Sequence, residues 1–182
     1  MSDERGPRVR RIPPGDDRER LVCPDCDYIA YDNPKIVAGV VAVDGDRVLL
    51  CRRAIPPRVG FWTLPAGFLE SGESPEEGAI REAWEEARAR LRVEGLLAVY
   101  SVRRISQVQL IYRAILEDPV VSAGPESQEV SLFPYGGLPW EELAFPTVKW
   151  ALDAWQRVRN QATWMPESNP EGTDPEPMRL EP

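Results

Sequence analysis

A run of β-branched and small apolar residues at positions 35–43 constrains the fold of this chain more than any other feature. The run reads KIVAGVVAV, and a second apolar run at 47–51 follows the tripeptide Asp44-Gly45-Asp46. An Asp-Gly pair between two such runs is typical of a tight β-hairpin. We therefore expect two paired strands here, at the start of a folded domain.

A helix is predicted from position 74 onward. Ser74 suits the N-cap, Pro75 the first helical position, and Glu76 and Glu77 the first turn, where acidic side chains complement the helix dipole. The spacing of the apolar residues predicts one buried face, made of Ile80, Ala83, Trp84, Ala87 and Leu91. Three carboxylates at i, i+3 and i+4 share a stripe opposite that face: Glu82, Glu85 and Glu86.

Strand-like stretches follow at 95–102, 108–116 and 130–133, and a last helix is predicted at 147–159. Strands on both sides of one long central helix, without regular βαβ alternation, indicate an α+β domain with a mixed sheet and helices on its faces. Residues 1–20 are polar and charged, and residues 161–182 carry five prolines among acidic residues. Both ends are predicted to be disordered.

Charge and residue usage exclude several classes of function. The chain has 182 residues and no histidine, which excludes Ser-His-Asp hydrolases and His-ligated zinc. A net charge of −8 argues against nucleic acid or an anionic membrane as partner, because both repel an acidic surface. The sequence has three cysteines, which do not make a disulfide framework, and it shows no signal peptide or membrane-spanning stretch. We therefore expect a cytoplasmic protein.

The carboxylate stripe belongs to a longer pattern. In chain order, this pattern consists of Gly67, five residues, Glu73, seven residues, Arg81-Glu82, two residues and Glu85-Glu86. It resembles the Nudix box, Gly-x5-Glu-x7-Arg-Glu-U-x-Glu-Glu-x-Gly-U, in which U is aliphatic. The resemblance extends from about Cys23 to the last helix. It implies a Nudix fold, a mixed β-sheet sandwiched between α-helices, over residues 35–160.

The family resemblance also implies the chemistry. Nudix enzymes hydrolyse a nucleoside diphosphate linked to another group X, by attack of water on phosphorus. The metal ligands would be the backbone carbonyl of Ala66 and the carboxylates of Glu82, Glu85 and Glu86, while Glu73 and Arg81 would form a structural ion pair. Mg²⁺ or Mn²⁺ suits these oxygen ligands and activates the attacking water.

Proton transfer and phosphate binding need further residues. Glu82 is the first candidate to accept the proton of the water, and a glutamate of the loop 124–129, Glu126 or Glu129, is the alternative, because family members often supply one more glutamate there. Arg52 and Arg53, after the second strand, are candidates to bind the phosphates of the substrate.

One box position departs from the family pattern. Arg88 stands where the family has its second glycine, which normally lets the chain leave the helix in a left-handed conformation. With arginine there, we expect the helix to continue to about Leu91.

Cys23 and Cys26, followed by Tyr31-Asp-Asn-Pro34-Lys35, resemble the second half of a small zinc ribbon that precedes some Nudix domains. A complete ribbon needs four ligands, and this chain offers no other cysteine before Cys23. We expect residues 21–34 to be a ribbon remnant without zinc. Zinc shared between two subunits and a redox pair are the alternatives.

The subgroup that shares these motifs includes ADP-ribose and FAD pyrophosphatases, so either compound is the expected substrate. The Ser106-Gln107 pair alone does not match the longer segment of NADH enzymes. The alternative is a Nudix domain that senses a nucleotide without hydrolysing it. Many relatives dimerise, so a homodimer is also expected.

Overall fold

The chain divides into two compact units, Met1–Pro34 and Lys35–Pro182. The computed structural model describes residues 5–173 of the protein. The tail at 174–182 and the first four residues, both predicted to be disordered, lie outside the described residues.

The first unit is a small antiparallel sheet. Its strands are β1 (Val9–Arg11), β2 (Arg20–Val22) and β3 (Ile29–Ala30), in that order. Val9 pairs with Val22, and Leu21 pairs with Ala30. The predicted disorder of residues 1–20 is therefore wrong for β1, because β2 supplies the backbone hydrogen bonds that a strand of charged residues needs for its order.

The second unit contains a seven-stranded mixed sheet with the central order β10-β5-β4-β9-β8. The short strands β6 and β7 pair with β5 and β4, and all pairings are antiparallel except that of β4 with β9. The strands are β4 (Lys35–Asp44), β5 (Arg47–Arg53), β6 (Trp62–Thr63), β7 (Ala66–Phe68), β8 (Leu91–Val102), β9 (Gln107–Leu116) and β10 (Ser127–Pro134). The predicted hairpin is confirmed, since Asp44 pairs with Arg47 across a turn in which Gly45 has a φ of 63°.

Two α-helices cover the two faces of this sheet, α1 (Pro75–Ala87) and α2 (Pro146–Val158). Alternate residues of β4 separate the two core layers: Val41 and Val43 pack in the layer of α2, whereas Ala38 and Ala42 pack in the layer of α1. The expected α+β architecture, a mixed sheet between helices, is confirmed. Within residues 5–173 no helix is both long and apolar enough to cross a membrane.

The start of α1 is as predicted. The hydroxyl of Ser74 accepts a hydrogen bond from the N–H of Glu77 at 3.2 Å, and Glu77 Oε2 accepts one from the N–H of Ser74 at 2.7 Å. This reciprocal capping box satisfies two backbone donors at the helix N-terminus.

The end of α1 differs from the prediction. The helix ends at Ala87, and Arg88 adopts the left-handed conformation with a φ of 51°. Its N–H still reaches the carbonyl of Trp84, while Leu91 begins β8 instead of extending the helix. Arginine therefore takes the conformation that glycine favours, because the tertiary contacts of β8 require the chain to turn here.

The buried face of α1 is rotated by about one position from the predicted one. Ile80 and Trp84 are 40% and 43% exposed, whereas the buried residues are Gly78, Ala79, Ala83, Glu86 and Ala87. Small residues let the helix approach the sheet closely. This rotation turns Glu86 and Glu82 toward the sheet, whereas Glu85 stays exposed to solvent.

The predicted disorder of residues 161–182 is wrong for the segment around Trp164. The indole N–H of Trp164 donates to the carbonyl of Leu96 at 2.8 Å, and Glu167 forms two backbone hydrogen bonds, with Leu97 and with Val99. Proline and acidic residues do not prevent order here, because the exposed edge of β8 offers unpaired backbone groups.

Candidate active site

Strand β7, which precedes the loop leading into α1, lies directly against the carboxylate stripe. A Cβ atom on Gly67 would overlap the carboxylate of Glu82, so any larger residue here would displace that carboxylate from its present position. Gly39 on β4 likewise lets two parts of the chain come close together, because a Cβ there would lie 2.5 Å from the Cβ of Ala66. Two glycines thus hold the Ala66-Gly67 backbone between the sheet and the glutamates.

The three glutamates of the stripe differ in exposure. Glu86 is 6% exposed, and the side chains of Glu82 and Glu85 are 12% and 54% exposed. Glu86 Oε2 accepts a hydrogen bond from the N–H of Ala66 at 3.3 Å. Carboxylates gathered with so little water repel one another and lose hydration.

Burial is the main cause that raises the pKa of Glu86 to about 8. The hydrogen bond from Ala66 and the charge of Arg53 lower this pKa, whereas the charges of Glu82 and Glu126 raise it. Burial also raises the pKa of Glu82, and the adjacent Arg81 partly offsets that effect. The positive charge near Glu86 is therefore too small to balance the negative charge of its ionised carboxylate.

Arg81 connects the loop to the helix. Its Nε and Nη2 donate to the two carboxylate oxygens of Glu73 at 3.0 and 2.7 Å, and Nη2 also donates to the carbonyl of Phe68. This contact holds the pKa of Glu73 well below its usual range, at about 2. The ion pair that the family resemblance implied is present in the structure.

Arg81 does more than the resemblance implied. Its Nη1 donates to Glu82 Oε1 at 2.7 Å and to Glu85 Oε2 at 3.2 Å. One guanidinium therefore contacts three carboxylates at once. Within the described residues 5–173 no three acidic or cysteine side chains are arranged as a ready-made metal site.

The donor set nevertheless fits a hard divalent cation. The site presents carboxylate oxygens beside backbone at Ala66, and the buried carboxylate of Glu86 receives one hydrogen bond, of 3.3 Å. Mg²⁺ and Mn²⁺ prefer such oxygen ligands, and either ion supplies the positive charge that Glu86 lacks.

A second loop, residues 117–126, is hydrogen-bonded to the C-terminal end of α1. Gly124 donates its N–H to the carbonyl of Glu86 at 2.9 Å, and Ser122 donates to the carbonyl of Ala87 at 2.9 Å. Glu126 follows directly, and its charge is close enough to raise the pKa of both Glu82 and Glu86. The loop thereby brings a fourth carboxylate within electrostatic range of the stripe.

Glu129 lies elsewhere. Its carboxylate forms an ion pair with Arg52 Nη1 at 3.6 Å, across the pairing of β10 with β5. Of the two loop glutamates that the sequence left open, the structure brings Glu126 to the stripe and turns Glu129 toward Arg52.

The two candidate phosphate-binding arginines are both engaged by the loop 54–60. Arg52 Nε donates to the carbonyl of Gly60 at 2.9 Å, and Arg53 Nε donates to that of Pro57 at 2.7 Å. Arg53 is also near enough to lower the pKa of Glu86. The structure thus places Arg53 beside the acidic site and gives both arginines a role in shaping the loop.

Phe68 is next to the acidic site but was not among the candidate residues predicted from the sequence. This residue directly follows Gly67, is 51% exposed, and has the ammonium of Lys35 5.2 Å from its ring centroid. The sequence feature that could have identified Phe68 is an aromatic residue directly after Gly67, the first glycine of the Nudix box. Two other aromatic residues, Trp62 and Phe133, pack edge to face against each other, with ring centroids 4.9 Å apart.

The fold and the site define a family. Residues 33–156 match the family model described as NUDIX domain, and residues 6–32 match the model described as Nudix N-terminal. The chain belongs to the Nudix hydrolase family.

Individual relatives agree with this assignment. The chain is similar to a crystal structure of a NUDIX hydrolase from Nitrosomonas europaea, with 42% identity and a TM-score of 0.84, covering 93% of this chain and 97% of that one. It is 30% identical over 122 residues to an ADP-ribose pyrophosphatase of Methanocaldococcus jannaschii, over 65% of this chain and 71% of the relative. It is 41% identical over 95 residues to a MutT-like protein of Streptomyces ambofaciens, over 52% of this chain and 60% of that relative.

Proposed function

We propose that this protein is a divalent-cation-dependent pyrophosphohydrolase that cleaves a nucleoside diphosphate linked to X, with ADP-ribose or FAD as substrate, by attack of water on phosphorus. One observation carries the proposal: Glu82 and Glu86 meet the Ala66-Gly67 backbone, where a Cβ on Gly67 would overlap Glu82, and Glu85 is joined to Glu82 through Arg81. Such closeness of carboxylate and backbone suits ligands of one cation.

Ala66, Glu82, Glu85 and Glu86 would hold Mg²⁺ or Mn²⁺, which neutralises phosphate charge and lowers the pKa of water. Arg81 keeps Nε and Nη2 on Glu73 and so holds the loop against α1. Its Nη1 balances the charge of Glu82 and Glu85. Gly67 keeps the backbone close enough for carbonyl and carboxylates to act together.

Glu126 is the best-placed acceptor for the proton of the attacking water. Glu82 accepts a hydrogen bond from Arg81, and Glu129 is paired with Arg52. Glu126 is exposed, yet it is near both Glu82 and Glu86. A carboxylate at the edge of the acidic site can take up a proton and return it to solvent.

Two observations support the substrate proposal: the name of one relative and the chemistry of one exposed surface. The relative from Methanocaldococcus jannaschii is named an ADP-ribose pyrophosphatase. Phe68 and Lys35 form an exposed aromatic and cationic surface next to Gly67. A ring of this kind stacks on the flat group of a nucleotide, and a lysine attracts its phosphates. A cytoplasmic location and a homodimer stay predictions from the sequence.

A substrate panel tests the activity. ADP-ribose, FAD, NADH and diadenosine polyphosphates are incubated with the protein and Mg²⁺, and AMP release is measured by chromatography. We expect the highest kcat/KM with ADP-ribose or FAD. In ¹⁸O-labelled water, the label should enter a phosphate group of one product. Micromolar binding of ADP-ribose without any hydrolysis would indicate a nucleotide sensor instead.

A double variant tests the site. Replacing Glu85 and Glu86 by glutamine removes two charges with little change of shape, so we expect turnover to fall by about 10²-fold or more. The matched control is Glu141→Gln, which changes an exposed glutamate of a 3₁₀ turn. Mn²⁺ binding, followed by electron paramagnetic resonance, should weaken in the double variant alone. Wild-type turnover in that variant would contradict the assignment.

A further inference from the structure

The Cys-x-x-Cys turn of the first unit is built as a metal knuckle. The N–H of Asp27 donates to the carbonyl of Cys23 at 2.9 Å, and the N–H of Cys23 donates to the carbonyl of Tyr28 at 2.8 Å. Asp27 has a φ of 58°, which reverses the chain after Cys26. The turn is therefore tight and closed by backbone hydrogen bonds.

The residues around this turn do not fit zinc. The chain has no histidine, and its third cysteine, Cys51, is in β5 of the second unit. Across the residues that the structure describes, no third acidic or cysteine ligand is placed beside the two thiols in a way that would hold a metal ion. Asp25, the nearest carboxylate, is held by Arg8 through two hydrogen bonds of 2.8 and 3.0 Å.

The turn instead brings two thiols together. Hydrogen bonds from the thiol of Cys26 and from the backbone N–H groups of Asp25 and Cys26 lower the pKa of Cys23, and the protonated Sγ of Cys23 donates to Asp25 Oδ2 at 3.8 Å. In a tight turn the Cα atoms three residues apart lie within about 7 Å, a separation that a disulfide spans. Cys23 is 4% exposed and Cys26 is exposed, so one thiol is accessible and the other is directly behind it.

The same hydrogen bonds affect the acidity of the buried thiol. The pKa of Cys23 lies below its usual value, mainly because the N–H of Asp25 donates to its sulfur. A thiol that ionises more readily is a better nucleophile at neutral pH.

We propose that Cys23 and Cys26 are a redox modification site that forms a reversible intramolecular disulfide with a low-molecular-weight disulfide such as glutathione disulfide as the oxidant. The exposed Cys26 thiolate attacks one glutathione sulfur, which breaks the glutathione disulfide and releases one glutathione thiolate. The Cys23 thiolate then attacks the sulfur of Cys26 and releases the second. Two cysteine thiols lose two electrons and two protons, and one glutathione disulfide is reduced to two thiols.

Thiol counting on the full-length protein tests this proposal without any substrate. Reduced protein is equilibrated in anaerobic glutathione buffers of increasing oxidised fraction, alkylated, and mapped by mass spectrometry. We expect two of the three thiols to disappear together, with a linked peptide containing Cys23 and Cys26. Cys51, which is 1% exposed, should be alkylated only after denaturation.

Three variants sharpen the test. Cys51→Ala should lose both remaining thiols as the wild type does, because Cys51 does not participate. Cys23→Ser should accumulate a stable mixed disulfide on Cys26, since the resolving thiol is gone. Cys26→Ser should keep the thiol of Cys23 reduced, because that thiol is buried.

Four results would overturn the proposal. The first is that all three thiols persist in oxidising buffer, and the second is a lasting mixed disulfide on Cys26 of the wild type. The third is a disulfide-linked dimer on a non-reducing gel. The fourth is about half a zinc ion per chain in the reduced protein, measured by elemental analysis. The last result would indicate zinc shared by two chains.

Discussion

The backbone N–H of Gly124 donates to the carbonyl of Glu86 at 2.9 Å, so the loop before β10 is bound to the end of the helix that carries the acidic stripe. The contact is close: a Cβ on Gly124 would lie 1.7 Å from the carbonyl oxygen of Glu85. Because Glu126 is two residues further along, this backbone contact sets where the fourth carboxylate stands.

Gly124→Ala should therefore displace the loop. The added methyl group overlaps backbone atoms that cannot rotate away, which we expect to cost about 1–3 kcal/mol of unfolding free energy and to lower kcat. Urea denaturation and AMP release measure the two effects. The control is Gly136→Ala, whose Cβ would meet no atom within 4 Å. Equal effects of the two variants would contradict the role of Gly124.

The two loop glutamates should differ in function. Glu126→Gln removes the carboxylate beside Glu82 and Glu86, so we expect kcat to fall by about 10²-fold or more. Glu129→Gln removes an exposed ion pair with Arg52 and should change kcat only a few-fold. The reverse order of the two kcat values would show that Glu129 is the proton acceptor.

Arg88→Gly should stabilise the protein. Arg88 holds a φ of 51°, a conformation that costs a residue with a Cβ roughly 1 kcal/mol and that glycine adopts freely. We expect the unfolding free energy to rise by up to about 1 kcal/mol, as measured by urea denaturation. A decrease would mean that the contact of the guanidinium with the ring of Trp84 contributes more than the strain costs.

The ion pair of Glu73 and Arg81 predicts a pH dependence. The pKa of Glu73 is about 2 in the folded protein and 4.5 in its reference state, so the folded state binds the proton less tightly. Its stabilising contribution is complete above pH 4.5 and is lost as the pH falls from 4.5 toward 2. The Tm of Glu73→Gln should therefore fall less steeply than that of the wild type in this interval. Glu70→Gln, at an exposed position of the same loop, should follow the wild-type curve.

Trp164 should stabilise the domain although it lies in a Pro-rich acidic segment. Its indole N–H binds the carbonyl of Leu96, and the guanidinium carbon of Arg113 lies 3.7 Å from its ring centroid. Trp164→Ala should cost about 2 kcal/mol or more in urea denaturation. The neighbouring Met165 is 83% exposed, and Met165→Ala should change little. A Trp164 variant as stable as the wild type would mean that the segment detaches freely.

Local patterns predicted part of this molecule. The hairpin at Asp44-Gly45 and the cap at Ser74 depend on residues close in the chain. Such contacts follow from local backbone geometry, and the structure confirms both of them. The ion pair of Glu73 with Arg81 was implied by the family resemblance, and the structure contains it.

Only the tertiary structure decided the remainder. The helix ends at Ala87 because β8 must begin beside β9, and Glu86 is buried because the small residues of α1 face the sheet. Glu126 reaches the stripe because Gly124 touches the helix about 40 residues away in the chain. Contacts between distant segments outweigh local preferences of about 1 kcal/mol, and no local pattern records which segments will meet.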